Sequence, residues 1–205
     1  MNEQTIDAIA AFWFLFRRLA VGLATMPSAD NPTYDELLKS LHEVDAGLYV
    51  EFGGDGSDHE LVITADGDSE LFTLVRSVVA ASPGIQGWTI RALKPKRGFP
   101  ETVRWKSVTL LTATIVFDPL ETDGSLDLGL RILVPGIRAS EIEDAHEALL
   151  RAIDHGLGEE RHAAEIRYTQ VQPQPHDADA SSFIPLRDLD AFIEWRTNKR
   201  RGGAR

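Results

Sequence analysis

The sequence predicts an α+β protein. Three observations carry this: two runs in which apolar and polar residues alternate are broken by turn-forming clusters, each pair is followed by a stretch of helical periodicity, and each helix leads into a further β-rich run. The expectation is a mixed, largely antiparallel sheet built from two β-β-α-β units, with helices packed on it, an N-terminal helical pair and a C-terminal helix.

The elements follow in order. Residues 5–24 read as a helix apolar on most faces, and such a helix must be covered. A polar break from Pro27 to Pro32 precedes a second helix over 34–44, with Thr33 and Glu36 as a capping box and Leu37, Leu38 and Leu41 as its stripe. Strands over 47–52 and 61–64 flank turn chemistry at 53–58 and form a hairpin. A helix over 69–81 carries Leu71, Phe72, Val75, Val78 and Val79, stops at Pro83-Gly84, and leads to a strand over 88–93. The second half repeats this order: a long β-branched run at 108–117, a turn at 118–125, and a partner strand at 126–134. A helix follows, capped by Ser140 and Glu143, with Ile142, Ala145, Leu149 and Ile153 on its stripe and Gly156 at its C′ position. A strand over 165–171, a polar loop over 172–182 and a helix with Leu189, Phe192 and Ile193 complete the chain. The reading is one domain over 1–196, divided as 1–45, 46–106, 107–172 and 173–196, with a disordered tail at 197–205.

Composition narrows the function classes. A hydrophobic fraction of 43% and a charged fraction of 26% are ordinary globular values, so most of the chain is expected to fold. The chain has no cysteine, which excludes disulfides, thiolate nucleophiles and zinc–cysteine sites and fits a reducing, cytoplasmic compartment. A formal net charge of −11 opposes non-specific binding to nucleic acid and to anionic lipid. The apolar run 8–16 is preceded by Glu3 and Asp7 and followed by Arg17 and Arg18, the reverse of a secretory signal, and is too short to span a bilayer.

Several short motifs together resemble a bacterial family of uncharacterised domains of unknown function. They are Phe12-Trp13-Phe14-Leu15-Phe16 as an N-terminal Phe-Trp-x-x-Phe helix, Glu60-Leu61-Val62-Ile63-Thr64-Ala65-Asp66-Gly67 as a strand end, Ala81-Ser82-Pro83 with Gly87-Trp88, and Leu157-Gly158-Glu159. The resemblance runs from about residue 8 to 193. It implies a fold of this kind and supplies no catalytic residues.

Chemistry-bearing residues are sparse. The acidic cluster Asp66, Asp68 and Glu70 suits helix capping better than a hard cation, because it lacks the spaced loop and distal glutamate of a calcium site. The histidines His42, His59, His146, His155, His162 and His176 form no ligand pair at helical spacing. His155 and His162 flank a Gly-Leu-Gly turn and would have to meet by folding. No nucleophile elbow, Walker loop or dinucleotide fingerprint occurs. No cofactor, metal or catalytic residue is therefore expected.

The anomaly is the stretch 91–106, where Arg91, Lys94, Lys96, Arg97, Arg104 and Lys106 face Glu101 alone in an otherwise acidic chain. With Phe99 and Trp105 among them, these cations suit an acidic protein or a small anionic ligand. Trp105 and the six cations are the candidate binding residues. The competing expectation is that they neutralise the protein's own carboxylates. The functional expectation is a non-catalytic binding or protein-interaction module, with a homo-oligomer through the N-terminal helix as one arrangement. The alternative is a hydrolase-like enzyme using carboxylates near Asp66 and a histidine.

Overall fold

A computed structural model describes residues 2–24, 32–55, 58–121, 127–175 and 182–203. The chain divides into two compact units, Met1–Lys94 and Pro95–Arg205, where the sequence suggested one domain. The division falls after residue 94, not at 106, because residues 102–105 pair forward with the strand that follows them.

In the first unit, α1 (Glu3–Leu23) starts two residues earlier than its periodicity suggests, because the Asn2 side chain accepts the Thr5 N–H at 2.8 Å and caps it. One stripe of α1 is buried: Ile9, Phe12, Trp13, Phe16, Ala20 and Leu23. α2 (Pro32–His42) packs against α1 through Leu37 and Leu41. It begins on proline, a residue preorganised for a first helical turn, so Thr33 lies inside that turn and not at the cap.

β1 (Tyr49–Asp55) and β2 (Asp58–Thr64) form the expected hairpin, with Phe52 opposite Leu61. A 3-10 turn, Ser69–Leu71, opens α3 (Phe72–Ala80), which buries Phe72, Val75 and Val78. β3 (Trp88–Ala92) then returns parallel to β2, Ile90 opposite Leu61, giving the order β1-β2-β3.

The second unit begins with a hairpin that sequence periodicity did not separate. β4 (Thr102–Trp105) pairs antiparallel with β5 (Val108–Leu111). The long β-branched run is broken at Thr112–Thr114, because Thr112 is buried and turns its hydroxyl to the Pro100 carbonyl and its N–H to Glu101. β6 (Val116–Leu120) and β7 (Leu128–Val134) are antiparallel, α4 (Ile142–Leu157) and α5 (Glu159–Glu165) cross over, and β8 (Ile166–Pro173) lies parallel to β7. The two-residue β9 (Ile184–Pro185) closes the order β8-β7-β6-β9. Each unit therefore repeats one topology: an antiparallel hairpin, a helical crossover, and a third strand parallel to the second.

β7 is buried at every position except Arg131. Phe117, Leu130 and Ile132 meet Ala145, Leu149 and Ile153 of α4, with Leu186, Leu189 and Ile193 completing this unit's core. α4 ends two residues beyond the expected glycine: Gly158, at φ 84°, caps it, whereas Gly156 is inside the helix. Gly156 has another role. A Cβ there would stand 2.5 Å from the Phe99 ring, so the missing side chain admits that ring. The α4 cap is also displaced, since the Glu141 carboxylate accepts the Arg138 N–H at 2.9 Å, in place of Ser140 and Glu143.

The expected disordered tail is helical as far as residue 203. α6 (Leu189–Gly203) continues because Arg196, 5% exposed, pairs with Glu121 and donates to the Asp127 carbonyl. Arg200 and Arg201 in its last turn also suit the negative end of a helix dipole.

Candidate functional site

The basic stretch is divided between the units, with Arg91 and Lys94 in the first and Lys96, Arg97, Arg104 and Lys106 in the second. At least four of the six cations meet carboxylates of the chain itself. Arg91 pairs with Glu60 at 2.5 Å, and Lys94 with Asp66 at 2.6 Å and Glu51 at 3.3 Å. Lys96 pairs with Asp190 at 2.5 Å, and Lys106 with Asp144 at 2.8 Å. The hydrogen bond from Lys106 to Asp144 raises that ammonium above its ordinary value. Arg104 is exposed on β4, and the Arg97 main chain donates to the His155 carbonyl at 2.8 Å. The aromatic residues are half-buried against the core of the second unit, with the Arg151 guanidinium 3.6 Å from the Trp105 ring centre. These are the pairings that internal neutralisation requires.

The acidic cluster separates into two structural roles. Asp68, and not Asp66, caps the helix, its carboxylate accepting the Glu70 N–H at 3.0 Å. Asp66 sits in the turn after β2 at φ 50° and holds Lys94. His155 and His162 also go to different partners: His155 to the Gly98 carbonyl, and His162 Nδ1 to the Asp154 carboxylate at 2.6 Å. Among the described residues, no three His, Asp or Glu side chains gather as metal ligands, and His176 lies outside those residues.

A different place in the first unit has the geometry of a binding site. Strand register sets Gly54 opposite His59, and His59 opposite Trp88. The His59 and Trp88 rings lie 5.1 Å apart at an interplanar angle of 37°, and Phe52 meets the same indole edge-on at 5.9 Å. Phe16 of α1 supports the indole from within, at 5.0 Å. Leu23 and Ala24, where α1 ends, form the remaining wall of a cleft of about 350 Å³. Gly53 and Gly54 line it with bare backbone, and Gly54 has no alternative. Its φ is 107°, and a Cβ would lie 1.9 Å from the Asp58 carbonyl oxygen.

The sequence placed Trp88 at the start of a strand and in the Gly87-Trp88 motif, and gave no sign of Phe52 and His59 as members of one site. They sit on different strands: register sets His59 beside Trp88, and Phe52 lies two residues from Gly54, the His59 partner on β1.

The structure thus defines an α+β protein with a repeated hairpin–helix–strand topology and an aromatic cleft on its first unit. Comparison of the chain with protein-family models, curated proteins and solved structures finds no match to any of them.

Proposed function

We propose that the protein is a non-catalytic binding module whose ligand site is the Phe52–His59–Trp88 cleft of the first unit. The observation that carries this is the tilted His59–Trp88 ring pair beside glycine backbone, which offers an aromatic wall with main-chain polar groups next to it. Concave, mostly apolar sites with a few polar groups are the usual form of small-molecule pockets, and the ligand class that fits here is a planar aromatic ring. The hydrolase alternative uses carboxylates near Asp66 and a histidine, and the Asp66–Lys94 ion pair and the Asp68 cap on the Glu70 N–H support structural uses of these groups instead. The cysteine-free composition supports a reducing, cytoplasmic setting.

The test is a fragment titration followed by NMR. Planar aromatic fragments such as naphthalene sulfonate are expected to shift the Trp88 indole and the His59 and Gly54 amides and to leave the other three tryptophans in place. His59→Ala removes one wall without touching the buried aromatic rings, and is expected to weaken binding about tenfold or more. Fragments that bind elsewhere, or bind His59→Ala unchanged, overturn the reading.

A further inference from the structure

α1 has a second apolar stripe. A helix turns 100° per residue, so positions 3, 6, 7, 10, 14, 17 and 21 lie on one side, away from the buried stripe of Phe12, Trp13 and Phe16. On that side Ile6, Phe14 and Val21 are 52%, 58% and 82% exposed. Among the described residues these are three of the seven large apolar side chains that are exposed, and they share one helix. A shallow groove of about 260 Å³ lies beside it, lined by Ala10, Trp13, Phe14, Arg17, Ala81 and Pro83.

The charges on the stripe are segregated. Glu3 and Asp7 occupy its first two turns, and Arg17 and Arg18 follow Phe14, both guanidiniums 6.0 Å from its ring centre. Such a stripe complements itself when reversed. We infer that this face of α1 binds a second copy of the chain, α1 against α1, antiparallel about a two-fold axis near residue 12. In that register Asp7 stands opposite the partner subunit's Arg17, and Phe14 opposite the partner subunit's Ala10. The small alanine side chain and the adjoining groove at Ala81 and Pro83 leave room for the phenyl ring. A two-fold contact needs one self-complementary patch, and acidic and basic ends on one helix provide it. Antiparallel packing also opposes the two helix dipoles. The charge pattern fixes direction: a parallel pair sets Asp7 against Asp7 and Arg17 against Arg17, which is repulsive.

The experiment measures mass in solution for the full chain by sedimentation equilibrium over a concentration series. The wild type is expected to show a monomer–dimer equilibrium. Phe14→Asp changes an exposed residue and is expected to raise the dimer dissociation constant by at least about thirtyfold. Asp7→Arg and Arg17→Asp are each expected to weaken the dimer, and the double exchange is expected to restore it, because only an antiparallel pairing of these two positions recovers both contacts. A wild type that stays monomeric throughout, a dimer that survives Phe14→Asp, or a double exchange that fails to restore association overturns the inference. Wild-type flotation with phosphatidylserine vesicles that Phe14→Asp abolishes, without dimerisation, reassigns the face to a lipid surface and equally overturns it.

Discussion

The indole N–H of Trp13 donates to the main-chain carbonyl of Val78 at 2.8 Å, a bond between residues 65 apart in sequence that joins α1 to the end of α3. Trp13 is 3% exposed and meets Phe12 and Phe16 edge-on. The N-terminal helix is thus part of the first unit's core, as its apolar character requires.

Trp13 therefore separates two contributions. Trp13→Phe keeps most of the volume and removes the donor. Because the Val78 carbonyl also accepts the Ala81 N–H at 3.2 Å, the expected loss is about 1–2 kcal/mol. Trp13→Ala adds a cavity and is expected to cost about 3–5 kcal/mol. A urea midpoint for Trp13→Phe equal to that of the wild type would show that the bond contributes nothing, and a midpoint for Trp13→Ala equal to that of Trp13→Phe would show the same of the packing. Deleting residues 1–25 removes this packing altogether and is expected to cause aggregation, checked by light scattering.

Gly156 and Phe99 are expected to be coupled. Alanine is favoured over glycine inside a helix by about 1 kcal/mol, whereas forcing a methyl against the Phe99 ring costs about 1–3 kcal/mol. The clash should win, so Gly156→Ala destabilises the wild type. In a Phe99→Leu background the clash is relieved, and the same change is expected to become neutral or stabilising. Additive effects in the four-member thermal-unfolding cycle would refute the contact.

Val75 and Leu149 are fully buried in the first and second units. Val75→Ala is expected to cost about 1–4 kcal/mol and Leu149→Ala about 2–5 kcal/mol, read as shifts of the urea midpoint. Trp88 reports the first change and Trp105 the second, since each lies in the same unit as the substitution. An undetectable shift in either case would remove that residue from the core.

The Arg138–Glu141 pair sets a pH dependence. The Arg138 side chain, then its N–H, hold the Glu141 carboxyl below its ordinary value of 4.5. A lowered carboxyl stabilises the fold in its charged form, so this contribution is present above pH 4.5 and is lost as pH falls through the folded value. An NMR titration of the Glu141 carboxylate is expected to give a midpoint under 4.5. Arg138→Ala should raise that midpoint only part of the way, since the main-chain donor remains. An unchanged midpoint would exclude the side-chain contact.

Most elements were legible because their signals are local. The alternating runs of β1 and β2 and the 3.6-residue stripe of α4 each occupy a dozen residues or fewer, and periodicity reports burial of one face. The errors fell where a distant partner intervened. Thr112 bends a strand-like run toward Pro100, and Arg196 reaches back to Glu121 and holds a helix where the basic tail reads as disorder. Gly156 resembles a helix stop until the Phe99 ring accounts for it.

The sequence alone determined the α+β class, the twice-repeated order of hairpin, helix and strand, and that α1, apolar on most faces, must be covered, all of which follow from short-range patterning. Tertiary structure decided which carboxylates meet the cations of 91–106, which residues form the row Gly54–His59–Trp88, and which apolar stripe of α1 remains exposed. Those depend on strand register and on helix rotation: a slip of one residue moves a strand's side chains to the opposite face, and a shift of one residue along a helix turns its stripe by 100°.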